Sequence, residues 1–107
     1  MLINTSSTTP EVGLPITLKL VTGEEVIGKV TNVTANDLTL LKPCVIFINP
    51  QNGQLGIQNL ILSADHEKPV VFNRSVIVAY SASERGIAEH YLSALTGIIK
   101  APPGLQL

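Results

Sequence analysis

The sequence predicts a mainly β domain whose short antiparallel strands bend into a small barrel, followed by one helix. Three observations predict it. Apolar and polar residues alternate from Ile16 to Leu20, Gly28 interrupts the next apolar run, and turn-forming residues separate successive runs. A glycine inside a strand usually marks a bulge or a sharp bend, and a barrel of few strands needs such bends in order to close.

We divide the chain into a flexible N-terminal arm (1–14), a barrel (15–82) and a C-terminal helix with its tail (83–100). The arm is rich in Ser and Thr and ends before Pro15. Lys42-Pro43 lies in the middle of the third apolar run, and because proline cannot donate to a ladder it predicts a bulge or an edge position there. The predicted strands are 16–20, 26–33, 38–49, 70–73 and 76–81.

The segment between the third and fourth predicted strands is harder to assign. Pro50-Gln51-Asn52-Gly53 is a strong turn signal. The stretch from 54 to 68 contains the apolar Leu60-Ile61-Leu62, but polar residues bound it. We interpret it as an elaborated connection with room for a short extra strand.

The last segment predicts a helix over 84–95, with Ser83 as its N-cap and Glu84 in its first turn. Thr96-Gly97 gives a C-terminal stop. We expect the apolar face to pack over the open end of its own barrel or on a neighbouring subunit, the alternative being a partner-binding face. That face consists of residues at helical spacing: Ile87, Tyr91, Leu92 and Leu95.

Composition fits one domain that associates with other chains. The 107 residues are 45% apolar and 14% charged, with a mean hydropathy of +0.35. Low charge and high hydropathy suggest that another chain covers part of the exterior. The net charge is −1 and there is no basic run, which argues against strong nonspecific attraction to nucleic acid.

Nothing in the sequence predicts an enzyme, a cofactor or a metal site. Cys44 is the single cysteine, so no intrachain disulfide is possible, and its apolar neighbours predict a buried, inert thiol. His66 and His90 have no cysteine at zinc-ligand spacing. No catalytic or nucleotide-binding motif occurs. Without a signal peptide or a membrane-length apolar stretch, we expect a cytoplasmic protein.

Two patterns about forty residues apart resemble the two halves of the Sm-like (LSm) signature. The first runs from Ile16 to Val30 and places Gly23 and Gly28 at the family's spacing. The second contains Phe72, Arg74, Val78 and Tyr80 at the family's positions. The resemblance implies a strongly bent five-stranded antiparallel barrel with, here, a C-terminal helix, and assembly into a homo-oligomeric ring.

The chain departs from the family pattern at both turns. The turn of residues 34–37 is about one residue shorter and lacks the stacking residue, while Ser75 replaces a glycine. The whole chain is more similar to uncharacterised Sm-like proteins of marine tailed phages. It shares with them the Thr22–Glu25 turn, Lys42-Pro43, the long connection, Asn73-Arg74-Ser75 and Gly97-Ile98. If it is phage-encoded, its compartment is the cytoplasm of an infected bacterium.

In the Sm-like family the turn after strand two and the turn between strands four and five line the pore, where they hold an RNA base. The resemblance therefore implies candidate RNA contacts at Asn36, Asp37, Arg74 and Ser75. A purely structural alternative stays open. Asn36-Asp37 is a good turn in its own right, and Arg74 could pair with an acidic residue such as Asp37.

The resemblance also implies how copies meet. Strand 70–73 of one subunit is expected to pair with strand 76–81 of the next, through an interface that includes Val70, Val71, Phe72, Val76, Val78 and Tyr80. Two functions follow as hypotheses. One is a ring that binds single-stranded RNA weakly at its pore. The other is a structural or protein-interaction ring of phage origin that binds no RNA.

Overall fold

The computed structural model describes residues 10–96. The predicted arm over 1–9 and the tail from 97 lie outside these residues. A single 3₁₀ turn, Arg74–Val76, separates the last two strands. The elements are β1 (Pro15–Leu20), β2 (Glu25–Val33), β3 (Asp37–Ile48), β4 (Leu55–Asn59), β5 (Val70–Asn73), β6 (Ile77–Ala82) and α1 (Arg85–Thr96).

All strand pairs are antiparallel, as the sequence predicted. One sheet has the order β4-β3-β2-β1-β6, and β5 also pairs with β3. Strand β3 can serve both neighbours because it is 12 residues long. Its first part, 37–40, pairs with β5 and its last part, 44–48, pairs with β4. Strand β4 is the short extra strand that the sequence allowed in the long connection between the third and fourth predicted strands.

The strong bend lies where β2 meets β3. Ile27 pairs with Cys44 and Lys29 with Leu41, so two residues of β3 lie opposite one residue of β2. A Cβ atom on Gly28 would lie only 2.9 Å from the Cβ of Leu40. Only glycine allows the two strands to approach this closely. The bulge includes Lys42-Pro43, and this confirms the bulge rather than the edge position.

The barrel encloses one apolar cluster built from alternate residues of the strands. Val26 on β2 faces this cluster, and Ile27 next to it faces the opposite side of the sheet. The buried members of the cluster are Ile16, Leu18, Val26, Val30, Leu38, Leu40 and Phe72.

Helix α1 packs on the outer face of β2 and β3. Ile87 and Tyr91 are its buried residues, and together with Ile27 and Cys44 they form the outer cluster. The helix therefore lies on its own barrel, but on the outer face of the sheet. We had expected it over the open end or on a neighbouring subunit. The thiol of Cys44 is buried as predicted, and burial raises its pKa.

Two expectations for the helix were wrong. Glu84 is the residue that caps it, because its carboxylate accepts a hydrogen bond from the Ile87 N–H at 3.0 Å. Hydrogen bonds from the backbone of Gly86 and Ile87 lower the pKa of Glu84. The hydroxyl of Ser83 instead bonds to that of Thr17 at 2.9 Å. Leu92 is 37% exposed and does not belong to the buried face.

Three further observations concern the start of the described chain, the last turn and the helices. Gly13 N–H donates to Val30 C=O at 2.8 Å and Val30 N–H donates to Leu14 C=O at 3.0 Å, so residues 13 and 14 are tied to β2. Val76 belongs to the 3₁₀ turn, not to the last strand as expected. Over residues 10–96, no helix has the length and apolar character needed to cross a membrane.

Candidate functional site

The fold brings together the two turns that the sequence predicted as RNA contacts. Pairing of β3 with β5 sets Asp37 opposite Asn73. One residue further out, the Arg74 N–H donates to the Asn36 C=O at 2.9 Å. Asn36, Asp37, Arg74 and Ser75 therefore lie at one end of the β3–β5 pair, although 36 and 74 are far apart in the chain.

Thr34 holds the first turn in place. Its hydroxyl accepts hydrogen bonds from the backbone N–H groups of Asn36 and Asp37, at 3.3 and 2.9 Å. The turn thus uses the threonine side chain where an Asn or Asp would often serve. Among residues 10–96, the side chains of Asn36 and Asp37 make no hydrogen bond.

Asn73 organises the second turn. Its side-chain oxygen accepts a hydrogen bond from the Ser75 N–H at 2.9 Å and caps the 3₁₀ turn of Arg74–Val76. Ser75 is exposed and Arg74 is half-buried. This cap fixes the backbone at Arg74.

The charge of Arg74 is not neutralised within the described residues. The ion pairs found there join Lys19 to Glu25 and Arg85 to Glu89. The ion pair between Arg74 and Asp37, which the sequence left open, does not form. The Nε of Arg74 is buried and has no hydrogen-bond partner in residues 10–96. Such atoms are rare in native proteins and need an explanation.

A cavity of about 350 Å³ lies next to Arg74. Tyr80 is the aromatic residue in the lining of this cavity. The sequence placed Tyr80 only at the subunit interface, since no local pattern shows that the bent sheet carries it toward Arg74. The lining residues are Pro10, Leu38, Arg74, Ile77, Val78, Ala79 and Tyr80.

The predicted interface strands each have one open edge in the described chain. Strand β5 pairs with β3 and β6 pairs with β1. Val71 and Val78 are 62% and 64% exposed, and Val76 is also exposed. Val70 and Tyr80 are half-buried against the core. The Phe72 side chain is 7% exposed and packs in the core, and the pairing of its strand with a second subunit stays a prediction.

The histidines and acidic residues do not gather into a metal site. His66 Nε2 lies 3.0 Å from the Ile61 carbonyl oxygen, within its own turn. Between residues 10 and 96, no three His, Cys, Asp or Glu side chains are placed to hold a metal ion.

Comparison with known proteins finds similarity at the level of structure only. No family model matches the sequence, and no curated protein matches it. A heptameric archaeal Sm protein aligns with 74% of this chain and 98% of its own, at 14% identity and a TM-score of 0.50. The P. aerophilum SmAP1 heptamer aligns with 78% and 99%, at 15% identity and a TM-score of 0.51. The chain has the Sm-like fold.

Proposed function

We propose that this protein assembles into a homo-oligomeric ring that binds single-stranded RNA weakly through Arg74. Two features support ring assembly. The chain has the fold of proteins that are themselves heptamers, and β5 and β6 each have an open edge. Pairing β5 of one copy with β6 of the next would satisfy both edges. Such head-to-tail contacts close into a ring when the rotation permits.

The observation that carries the RNA proposal is the hydrogen bond between Arg74 N–H and Asn36 C=O. It joins the backbones of the two candidate turns, and the Arg74 side chain has no ion-pair partner among residues 10–96. An arginine plane can stack on a base, and amide and carboxylate groups can bond to its edge. Assembly would place one such site per subunit around a common axis.

Two features predict that binding is weak. The first turn carries Ala35 where a stacking side chain would be needed, and loss of one stacked aromatic costs ~1–3 kcal/mol per base. Asp37 adds a negative charge, and the chain as a whole has a net charge of −1. Few phosphates can then be neutralised, so the salt dependence should be shallow.

The same features favour a second candidate, a structural or protein-interaction ring that binds no RNA. Its phage origin rests on the sequence resemblance alone. Under this alternative the backbone hydrogen bond from Arg74 to Asn36 serves only to hold the two turns together. The two candidates share the ring and differ in whether the pore has RNA affinity.

Fluorescence anisotropy with short U-rich and A-rich RNA, at low and physiological salt, distinguishes them. We expect weak binding that Arg74→Ala abolishes while the assembly keeps its mass. Arg85→Ala is the matched control, since Arg85 is exposed on α1 and forms an ion pair with Glu89. No affinity in the parent protein supports the scaffold ring. Undiminished affinity in Arg74→Ala contradicts the site.

A further inference from the structure

The hairpin of β3 and β4 is the least charged part of the chain. No charged side chain occurs over residues 43–64, between Lys42 and Asp65. Several of the exposed large apolar side chains lie there, including Ile48 at 67% and Leu55 at 52% exposed, together with Phe47, Ile61 and Leu62. An exposed apolar surface without charges marks an interaction site.

Strand β4 also presents an unprotected edge. Asn49 N–H donates to Gln54 C=O at 2.7 Å and Leu60 N–H donates to Pro43 C=O at 3.0 Å. These two bonds lie at the two ends of β4. Between them, residues whose backbone N–H and C=O groups point toward β3 alternate with residues whose backbone groups point away from it. Leu55, Ile57 and Asn59 therefore direct their backbone groups away from β3. No strand of the described chain pairs with them.

Natural proteins protect such an edge with lysine, proline or a bulge. Strand β4, Leu55–Asn59, contains none of these. The side chains of Leu55 and Ile57 lie on the same face of the sheet as those of Ile48 and Ile46, their partners on β3. On this face Ile46 and Ile57 pack partly against the outer cluster under α1. Ile48 and Leu55 continue this apolar strip beyond the helix. The edge and the strip together form one continuous surface.

We propose that this surface binds the same surface of a second copy of the chain. When a two-fold axis relates two β4 edges, the two strands pair antiparallel. Leu55 of one copy then lies near Asn59 of the other. Residues 43–64 carry no charge, so two copies do not repel each other along the strand itself, although Lys42 and His66 lie near its Asn59 end. Residues 43–64 also offer no positive charge to the phosphates of a nucleic acid or of an anionic membrane.

One such contact is small, since β4 has five residues and a stable interface needs roughly 1,200–2,000 Å². Its strength therefore rests on the proposed ring, in which several β4 edges act at once. Two rings would then join through their hairpins. The subunit number of the whole assembly must be even.

Native mass spectrometry and light scattering of the full chain test the proposal. Leu55→Pro removes an outward N–H and leaves the ladder with β3 intact, and Leu55→Lys protects the edge with a charge. We expect either change to halve the mass of the assembly. Val12→Lys, which adds the same charge to another exposed apolar residue, should keep the parental mass. Circular dichroism checks that each variant is folded.

The outcomes separate this proposal from the ring. A decrease from two copies to one supports pairing through β4 and contradicts the ring. A decrease from a double to a single ring supports both. An unchanged mass in Leu55→Pro and Leu55→Lys, or a parental assembly with an odd number of subunits, overturns the pairing.

Discussion

The hydroxyl of Tyr91 connects the helix to the bulge between β2 and β3. It accepts a hydrogen bond from the Lys29 N–H at 2.9 Å and donates one to the Leu41 C=O. Lys29 and Leu41 are paired residues at the site of the register shift. The side chain thus satisfies two backbone groups that the bulge separates, and such groups are costly to bury without a partner.

Replacing this hydroxyl should destabilise the fold. We expect Tyr91→Phe to lower the free energy of unfolding by ~1–3 kcal/mol, because a buried donor and a buried acceptor lose their partner. Urea denaturation measures it. Tyr80→Phe is the matched control, since the Tyr80 hydroxyl makes no hydrogen bond within residues 10–96. Equal effects of the two changes would show that the Tyr91 hydroxyl does not stabilise the bulge.

The same residue gives stability a dependence on alkaline pH. Burial raises the pKa of Tyr91 from its ordinary 10.0 to about 12. The folded state therefore holds this proton more tightly than the unfolded state. Its contribution is complete below pH 10.0 and is lost as the pH rises toward about 12. Over that range the parent protein should lose more stability than Tyr91→Phe, measured by urea denaturation at each pH.

At the scale of elements, the two apolar sides of α1 should respond differently to truncation. Ile87→Ala removes a buried side chain from the outer cluster and should cost ~2–5 kcal/mol. Leu92→Ala changes a residue that is 37% exposed, and should cost less than about 1 kcal/mol. Thermal unfolding of both variants measures the difference. A larger loss for Leu92→Ala would mean that α1 packs in another rotation.

The bend between β2 and β3 depends on Gly28. A Cβ atom there would clash with the buried Leu40, so Gly28→Ala should destabilise by ~1–3 kcal/mol. Gly56→Ala is an informative comparison. Its Cβ would lie 2.7 Å from the Phe47 ring, but that ring is exposed and can move. Denaturant unfolding in which Gly56→Ala is the more harmful change would contradict this explanation of the bend.

The elements that could be predicted from the sequence are those with a local signal. Alternating apolar residues gave the strands, and Lys42-Pro43 gave the bulge. Strand β4 was less clear because Leu55-Gly-Ile-Gln-Asn is short and includes a glycine. Leu92 was misassigned because spacing alone defines a broad helical face, and the surface that the helix meets decides which edge is buried. The burial of the Phe72 side chain could not be predicted, because a strand pattern does not show which side the barrel encloses.

The candidate site could be predicted only in part, since it is formed at the scale of the molecule. The resemblance supplied the residues of both turns. It could not supply the hydrogen bond between Arg74 and Asn36, the missing ion pair with Asp37, or the cavity with Tyr80. Each of these depends on how the long strand β3 pairs with β5 and how the sheet bends. Tertiary pairing, not local sequence, decides them.

Cross-linking tests the central claim, a ring joined through β5 and β6, most directly. Val71 and Ala79 are exposed, and the residues next to them that pack in the core are Val70 and Phe72 for Val71 and Tyr80 for Ala79. Val71→Cys and Ala79→Cys variants, alone and mixed, are treated with a short bismaleimide. Cys44 is buried and serves as the internal control. The account predicts cross-linked dimers when the two variants are mixed, and a ladder of closed multimers in the double variant. Cross-linking in each single variant alone, or none in the mixture, would contradict it.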